Sequence, residues 1–341
     1  GYTHFMRGYA YYRLLLDWGP TLLLGDEIIS NNEELKKYNR ERGTYDECVD
    51  YICNEFEEAA KSLPLIQSVA DFGRPTKGAA YGLIARLRVY QASPAYNGGD
   101  EARRCFGNWK RKSDGAFYIN QTYDENRWAV AAAACKRVMD MRKNGNPMYR
   151  LHTVESSSET PALATNVTTD PDYNQPWPVG AAGIDPFHSY ADMFNGEDVI
   201  PSNPEWVWAR YSADLTAHTR TSFPAHLGGW NHCCVTQKVV DAYRMADGRN
   251  IDESTPQYPY SETGFTTTQQ KFSGYRLNSG VYNMYNNREM RFYASIGFSE
   301  CFWPMTSTST TGNYNQTVTY YFDSPDGKQS NTVDYPLTGY V

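Results

Sequence analysis

The stretch Gly73-Arg74-Pro75-Thr76-Lys77-Gly78-Ala79-Ala80-Tyr81-Gly82-Leu83-Ile84-Ala85-Arg86-Leu87 decides how the rest of the chain is read. From Thr76 the residues Ala80, Leu83, Ile84, Leu87 and Tyr90 fall on one face at helical spacing, and Ser93-Pro94 ends the run. Upstream, Thr44 and Glu47 form a capping box, and Cys48, Ile52, Phe56, Ala59 and Leu63 make a stripe that stops at Pro64. Further back, Phe5, Tyr9, Tyr12 and Leu16 repeat in the same way until Gly19-Pro20. Downstream, Glu125 to about Lys143 carries Trp128, Ala132, Cys135, Val138 and Met139 and ends at Asn144-Gly145. The first 145 residues are therefore expected to be helical.

The texture then changes. The stretch Asn203-Pro-Glu-Trp206-Val-Trp208-Ala alternates with period two, as does Arg288 to Phe298 through Met290, Phe292, Ala294, Ile296 and Phe298, so both stretches predict short strands. A helix is expected over Thr236 to Met245, ending at Asp247-Gly248, and a hairpin is expected from Thr317–Phe322 and Asn331–Tyr335 around the Asp323-Ser-Pro-Asp-Gly turn. Long loops fill 145–203, 210–235 and 250–286, and loops of that length are where binding is sought.

Composition excludes several classes. Lys plus Arg number 32 against 39 Asp plus Glu, a net charge of −7, and the cations are scattered, so nucleic acid is not an expected partner. No segment approaches the ~20 apolar residues of a membrane helix. Seven cysteines contain no C-x-x-C pair. The six histidines show no zinc spacing, and the Asp170-x-Asp172-x-Asn174 start of a calcium loop lacks the glycine and the final glutamate of an EF-hand, so neither a metal nor a cofactor is expected. There is no G-x-S-x-G, Walker loop or dinucleotide fingerprint. What stands out is 28 Tyr and 8 Trp, many in stretches rich in Asn, Gly, Ser and Thr. Such rings join an apolar face to a polar edge and suit contact with sugars or peptides.

Four motifs, in order, resemble the SusD/RagB family: Phe5-Met-Arg7 through Asp17-Trp-Gly19-Pro20; Arg42-Gly-Thr44-Tyr45 through Leu63-Pro64; the Gly73–Leu87 run; and Thr236 through Val240-Asp241-Ala-Tyr243 to Asp247-Gly248. Val235 stands where the family usually has proline, and Asn287-Arg288 where it often has Asp-Pro-Arg. The resemblance implies a mainly α fold: tetratricopeptide-like helical pairs with long loops and a few short β-strands. Residues 1–145 would be the helical scaffold and 146–341 the loop-rich, ligand-binding part, with both ends of the family fold missing. It further implies a surface-exposed lipoprotein of the outer membrane, anchored by an N-terminal lipid outside this chain, that binds oligosaccharides and delivers them to a SusC-like TonB-dependent transporter. It implies no enzyme. A peptide cargo, as in the RagB branch, is the alternative. A glycoside hydrolase would need a pair of carboxyl groups across a cleft, and the resemblance argues against it.

Within that frame Gly73, Arg74 and Lys77 are read as placing a helix start with a buried ion pair, and Trp18, Trp206 and Trp208 as packing. The expected ligand contacts are Trp177 and Tyr173, in a polar loop stiffened by Pro176 and Pro178, together with Trp230 and Trp303. Trp177 could also serve as a loop anchor. Trp230 follows Gly228-Gly229, and its neighbours His226, Asn231 and His232 could hydrogen-bond sugar hydroxyls.

Overall fold

A computed structural model describes residues 1–167, 170–195, 203–209, 216–305, 312 and 314–327. Its helices are α1 (Tyr2–Trp18), α2 (Leu35–Tyr38), α3 (Tyr45–Ser62), α4 (Lys77–Ala92), α5 (Gly99–Phe106), α6 (Asn126–Met139), α7 (Pro186–Asn195), α8 (Thr216–Ser222), α9 (Gln237–Ala242) and α10 (Met290–Ser295). The strands are β1 (Arg142–Lys143), β2 (Asn146–Pro147), β3 (Gln270–Phe272), β4 (Tyr275–Leu277), β5 (Phe302–Trp303) and β6 (Gln316–Thr317), paired antiparallel as β1–β2, β3–β4 and β5–β6. The fold is mainly helical. It divides into one unit of Gly1–Leu151 with Pro204–Tyr211 and another of His152–Asn203 with Ser212–Val341. No helix among the described residues is long and apolar enough to cross a membrane.

In the first unit α1 packs on α3, α3 on α4, and α4 on α6. The capping box at α3 is present in full: Thr44 Oγ1 accepts from the Glu47 N–H at 3.2 Å, and the Thr44 N–H donates to Glu47 Oε2 at 2.8 Å. Two of the four backbone donors left open at a helix start are thereby satisfied. Thr76 caps α4 by accepting from the Ala79 N–H at 3.1 Å. Gly78, in the first turn of α4, is needed for space, because a Cβ there would lie 2.0 Å from the Tyr149 hydroxyl. Gly73 turns with φ +92°, and its carbonyl accepts from Trp208 Nε1 at 2.9 Å. The Trp208 ring meets Phe5 and Tyr9 edge-on at 5.1 and 5.4 Å. The second unit has its own core, in which Phe272, Tyr275, Leu277, Phe292, Tyr293 and Phe298 are prominent.

Several expectations are corrected. On α1 the buried stripe is Phe5, Gly8, Tyr11, Tyr12 and Leu15, so Leu16 points outward. Trp18 is not core: it is 73% exposed, and its carbonyl accepts from Arg42. Arg74 pairs with Asp71 in solvent, not in the interior. On α6 the run Ala129–Ala134 places apolar side chains on every face, and Ala131 faces inward while Trp128, Ala132 and Met139 stay exposed. Trp206 and Trp208 lie in irregular backbone, so strand alternation does not apply; Trp208 packs and Trp206 remains exposed. The stretch around Phe292 is helix α10, not a strand. Buried Phe292, Tyr293 and Ile296 satisfy helical spacing equally well, an ambiguity inherent to short apolar runs. β6 pairs with β5, and Asn331–Tyr335 lies outside the described residues.

Candidate functional site

Tyr173 and Trp177 lie in a loop closed on itself by backbone hydrogen bonds. Gln175 N–H donates to Asp172 O at 2.8 Å, Ala181 N–H to Tyr173 O at 2.8 Å, Ala182 N–H to Gln175 O at 3.0 Å, and Trp177 N–H to Ala182 O at 2.9 Å. Gly180 lets the two sides approach, since a Cβ would sit 2.1 Å from the Asp172 carbonyl. The Trp177 ring stands 40% exposed. Tyr173 is half-buried; burial raises its hydroxyl pKa, and that hydroxyl hydrogen-bonds the backbone at Ala164. Tyr258 holds the same segment from another side, accepting from the Thr165 N–H at 3.2 Å.

Trp230 and Trp303 belong to a second cluster. After α8 the chain folds back, and Trp230 N–H donates to Arg220 O at 2.6 Å, Asn231 N–H to Phe223 O at 3.1 Å, and His232 N–H to Thr221 O at 2.8 Å. Gly229 is required there, because a Cβ would lie 1.8 Å from the Phe223 carbonyl, a backbone atom that cannot swing away. Trp230 is 46% exposed, with the His232 ring at 5.6 Å and the Arg220 guanidinium at 5.7 Å. Trp303, on β5, is half-buried against the second core, and Phe223 meets its ring at 5.9 Å. Phe223 thus links the backbone of the Trp230 loop to the Trp303 ring.

Asp326, fully buried, ties that loop down. Its carboxylate accepts from the His226 N–H at 3.0 Å and lies 2.7 Å from His226 Nδ1, while the Thr319 N–H donates to it at 3.1 Å. Asn231 Nδ2 donates to the Asp326 carbonyl at 2.8 Å. Asn231 is buried and His226 Nδ1 is engaged by Asp326, so these two serve the loop's shape and do not present the free hydrogen-bonding edges that the sequence suggests.

The four expected ring residues therefore fall into two pairs, both in the second unit, and no stacking contact joins the pairs among the described residues. The places of Phe223, Arg220, Asp326 and Tyr258 around these two loops were not legible in the sequence. The doublet Gly228-Gly229 is the one local signal that a tight loop carries Trp230. Farther down, the Val240-Asp241-Ala-Tyr243 motif ends α9 over a buried arginine: Arg288 Nη2 donates to the Val240 and Tyr243 carbonyls at 2.6 and 2.7 Å. A second buried acid, Asp185, opens α7 by accepting from the Phe187 and His188 N–H groups at 3.0 Å.

Two family models match the chain: one described as the SusD family, over residues 204–341, and one described as starch-binding associating with outer membrane, over residues 1–90. The chain belongs to the SusD/RagB family. A SusD-like protein of Bacteroides ovatus is 32% identical over 94 residues, which is 28% of this chain and 16% of that protein. Among solved structures, a protein designated BT4246 superposes with a TM-score of 0.72 at 21% identity, covering 100% of this chain and 55% of its own. A SusD-like protein of Bacteroides fragilis, BF3747, gives 0.57 at 21% identity, covering 99% of this chain and 48% of its own. A third, titled a SusD-like carbohydrate binding protein from B. fragilis, BF0978, gives 0.51 at 14% identity, covering 99% of this chain and 46% of its own. These likenesses show the SusD-like fold. The chain spans about half the length of the solved relatives it matches.

Proposed function

We propose that this chain is the glycan-capturing part of a nutrient-binding protein at the cell surface, held to the outer membrane by a lipid outside the chain and delivering oligosaccharides to a SusC-like TonB-dependent transporter without catalysing a reaction. The observation that carries the reading is the Trp230 loop: an exposed ring on a backbone fixed by Gly229 and Asp326, with Phe223 joining that backbone to the Trp303 ring. A pyranose offers weakly apolar C–H faces edged by hydroxyls, and a flat ring held still can stack on such a face with little loss of side-chain entropy. Trp177, on the loop it shares with Tyr173, offers a second exposed ring. A sugar spanning several residues could use both. The family supports a carbohydrate ligand, since the model over residues 1–90 is described as starch-binding and one solved relative is titled a carbohydrate binding protein.

Affinity electrophoresis through gels containing single polysaccharides tests this. Retardation by at least one glycan, with no release of reducing ends and no binding to a matched peptide library, is the expected result. Binding to peptides alone would overturn it in favour of a RagB-like cargo.

A further inference from the structure

Arginine usage in the second unit singles out one residue. Arg244 donates to Gly248 O, Arg249 pairs with Asp247, Arg276 donates to Asn278, Arg288 donates to backbone carbonyls, and Arg291 pairs with Glu289. Arg220 is exposed, and among the described residues its guanidinium has neither a carboxylate nor a carbonyl acceptor. It stands in the last turn of α8, where a cation commonly serves the open carbonyls of the helix end. That role is filled here: the Arg220 carbonyl accepts from the Trp230 N–H, and the Thr221 carbonyl from the His232 and Cys233 N–H groups. The guanidinium is left beside the exposed face of Trp230, at 5.7 Å, with His232 on the same ring at 5.6 Å. The acid of this loop, Asp326, is buried and bound to His226, so it does not neutralise Arg220.

We infer that the Trp230 site takes an acidic oligosaccharide, with Trp230 stacking on a sugar ring and Arg220 binding an oxyanion on that ring or the next. A guanidinium presents paired donors that match a carboxylate or a sulfate ester, and such charge-assisted bonds are about twice as strong as neutral ones. The chain carries a net charge of −7, so long-range attraction does not deliver a polyanion. Recognition is local and rests on this one cation. The inference depends on the glycan-capture reading and narrows its ligand class.

The test is calorimetry at low and moderate salt with matched sets: uronate oligosaccharides against their carboxyl-reduced forms, and sulfated oligosaccharides against their desulfated forms. The expected result is roughly tenfold tighter binding of one acidic form over its neutral partner. That preference should shrink with salt and be lost in Arg220→Gln, which should bind the acidic and neutral forms alike. A preference within the uronate set names a carboxylate, and one within the sulfated set names a sulfate ester. Equal binding of acidic and neutral forms, or a preference that survives Arg220→Gln, overturns the inference and leaves glycan capture standing. Binding of no glycan in any set overturns both.

Discussion

The Nδ1 atom of His226 lies 2.7 Å from the Asp326 carboxylate, joining two points 100 residues apart in the chain. One carries the loop that ends in Trp230, and the other follows β6. Because Asp326 is fully buried and also accepts from the His226 and Thr319 N–H groups, removing it leaves several donors without a partner. Asp326→Ala is expected to cost about 2–4 kcal/mol, the range for a buried charged acceptor with multiple bonds. Thermal unfolding should show it, and the Trp230 loop should exchange its amides faster in the folded protein. An unchanged melting temperature and unchanged exchange would show that the tie does not hold the loop.

Arg288 answers for the V-D-A-Y motif in the same way. It is the largest fully buried side chain among the described residues, its guanidinium lies 4.8 Å from the Phe292 ring centroid, and it donates to Met284, Val240 and Tyr243 carbonyls. Burial lowers its pKa from the ordinary value. Arg288→Met keeps the bulk and removes every side-chain donor, so the carbonyls at the end of α9 lose their partner, at a cost of about 3 kcal/mol or more. Arg288→Lys, a point charge with fewer donors, should fall between. Urea unfolding monitored by circular dichroism orders the three proteins. A Met variant as stable as the parent would contradict this account.

The start of α7 should have a pH window. For Asp185, burial alone would raise the pKa, but hydrogen bonds from Ser273, the His188 N–H and Thr160 outweigh it and hold the group below the ordinary aspartate value. Its contribution is therefore present above an unfolded pKa of about 4 and lost as pH falls through the lower folded value. For His188, burial opposes the charge, yet the hydrogen bond to Asp192, the negative charges of Asp192 and Asp185 and a backbone hydrogen bond at Ser273 together outweigh burial, and the pKa is raised. That contribution is full below about 6.5 and lost as pH rises through the higher folded value. Amide protection in α7 should thus be greatest between about pH 4 and 6.5, and Asp185→Asn should flatten the acid side. A protection profile that is flat from pH 3 to 8 would sink the assignment.

The helical half was legible because its signals are local and agree. Thr44 with Glu47, Thr76, and the stripe Cys48–Ile52–Phe56–Ala59–Leu63 each specify a face or an end, and all are found in place. Where a helix is apolar all round, as at Ala129–Ala134, the pattern cannot choose which face finds a neighbour. The sites were half legible. Trp177 and Trp230 are exposed on glycine-tightened loops, as proline and glycine punctuation suggests, but the contact of Phe223 with the Trp303 ring and the tie of Asp326 to the Trp230 loop join residues far apart in the chain. Periodicity carries no information about such contacts. The same limit turned Phe292 and its neighbours into a strand on paper and a helix in space.

The exposed rings of Trp230 and Trp177 are tested most directly by isothermal titration of the cognate glycan into the parent, Trp230→Ala and Trp177→Ala. Truncating a stacking ring should cost about 2 kcal/mol, roughly thirtyfold in affinity, with circular dichroism unchanged. Trp230→Ala is expected to lose at least that much, and Trp177→Ala a similar amount if the ligand spans both loops. Two folded variants that bind the glycan as the parent does would contradict the account.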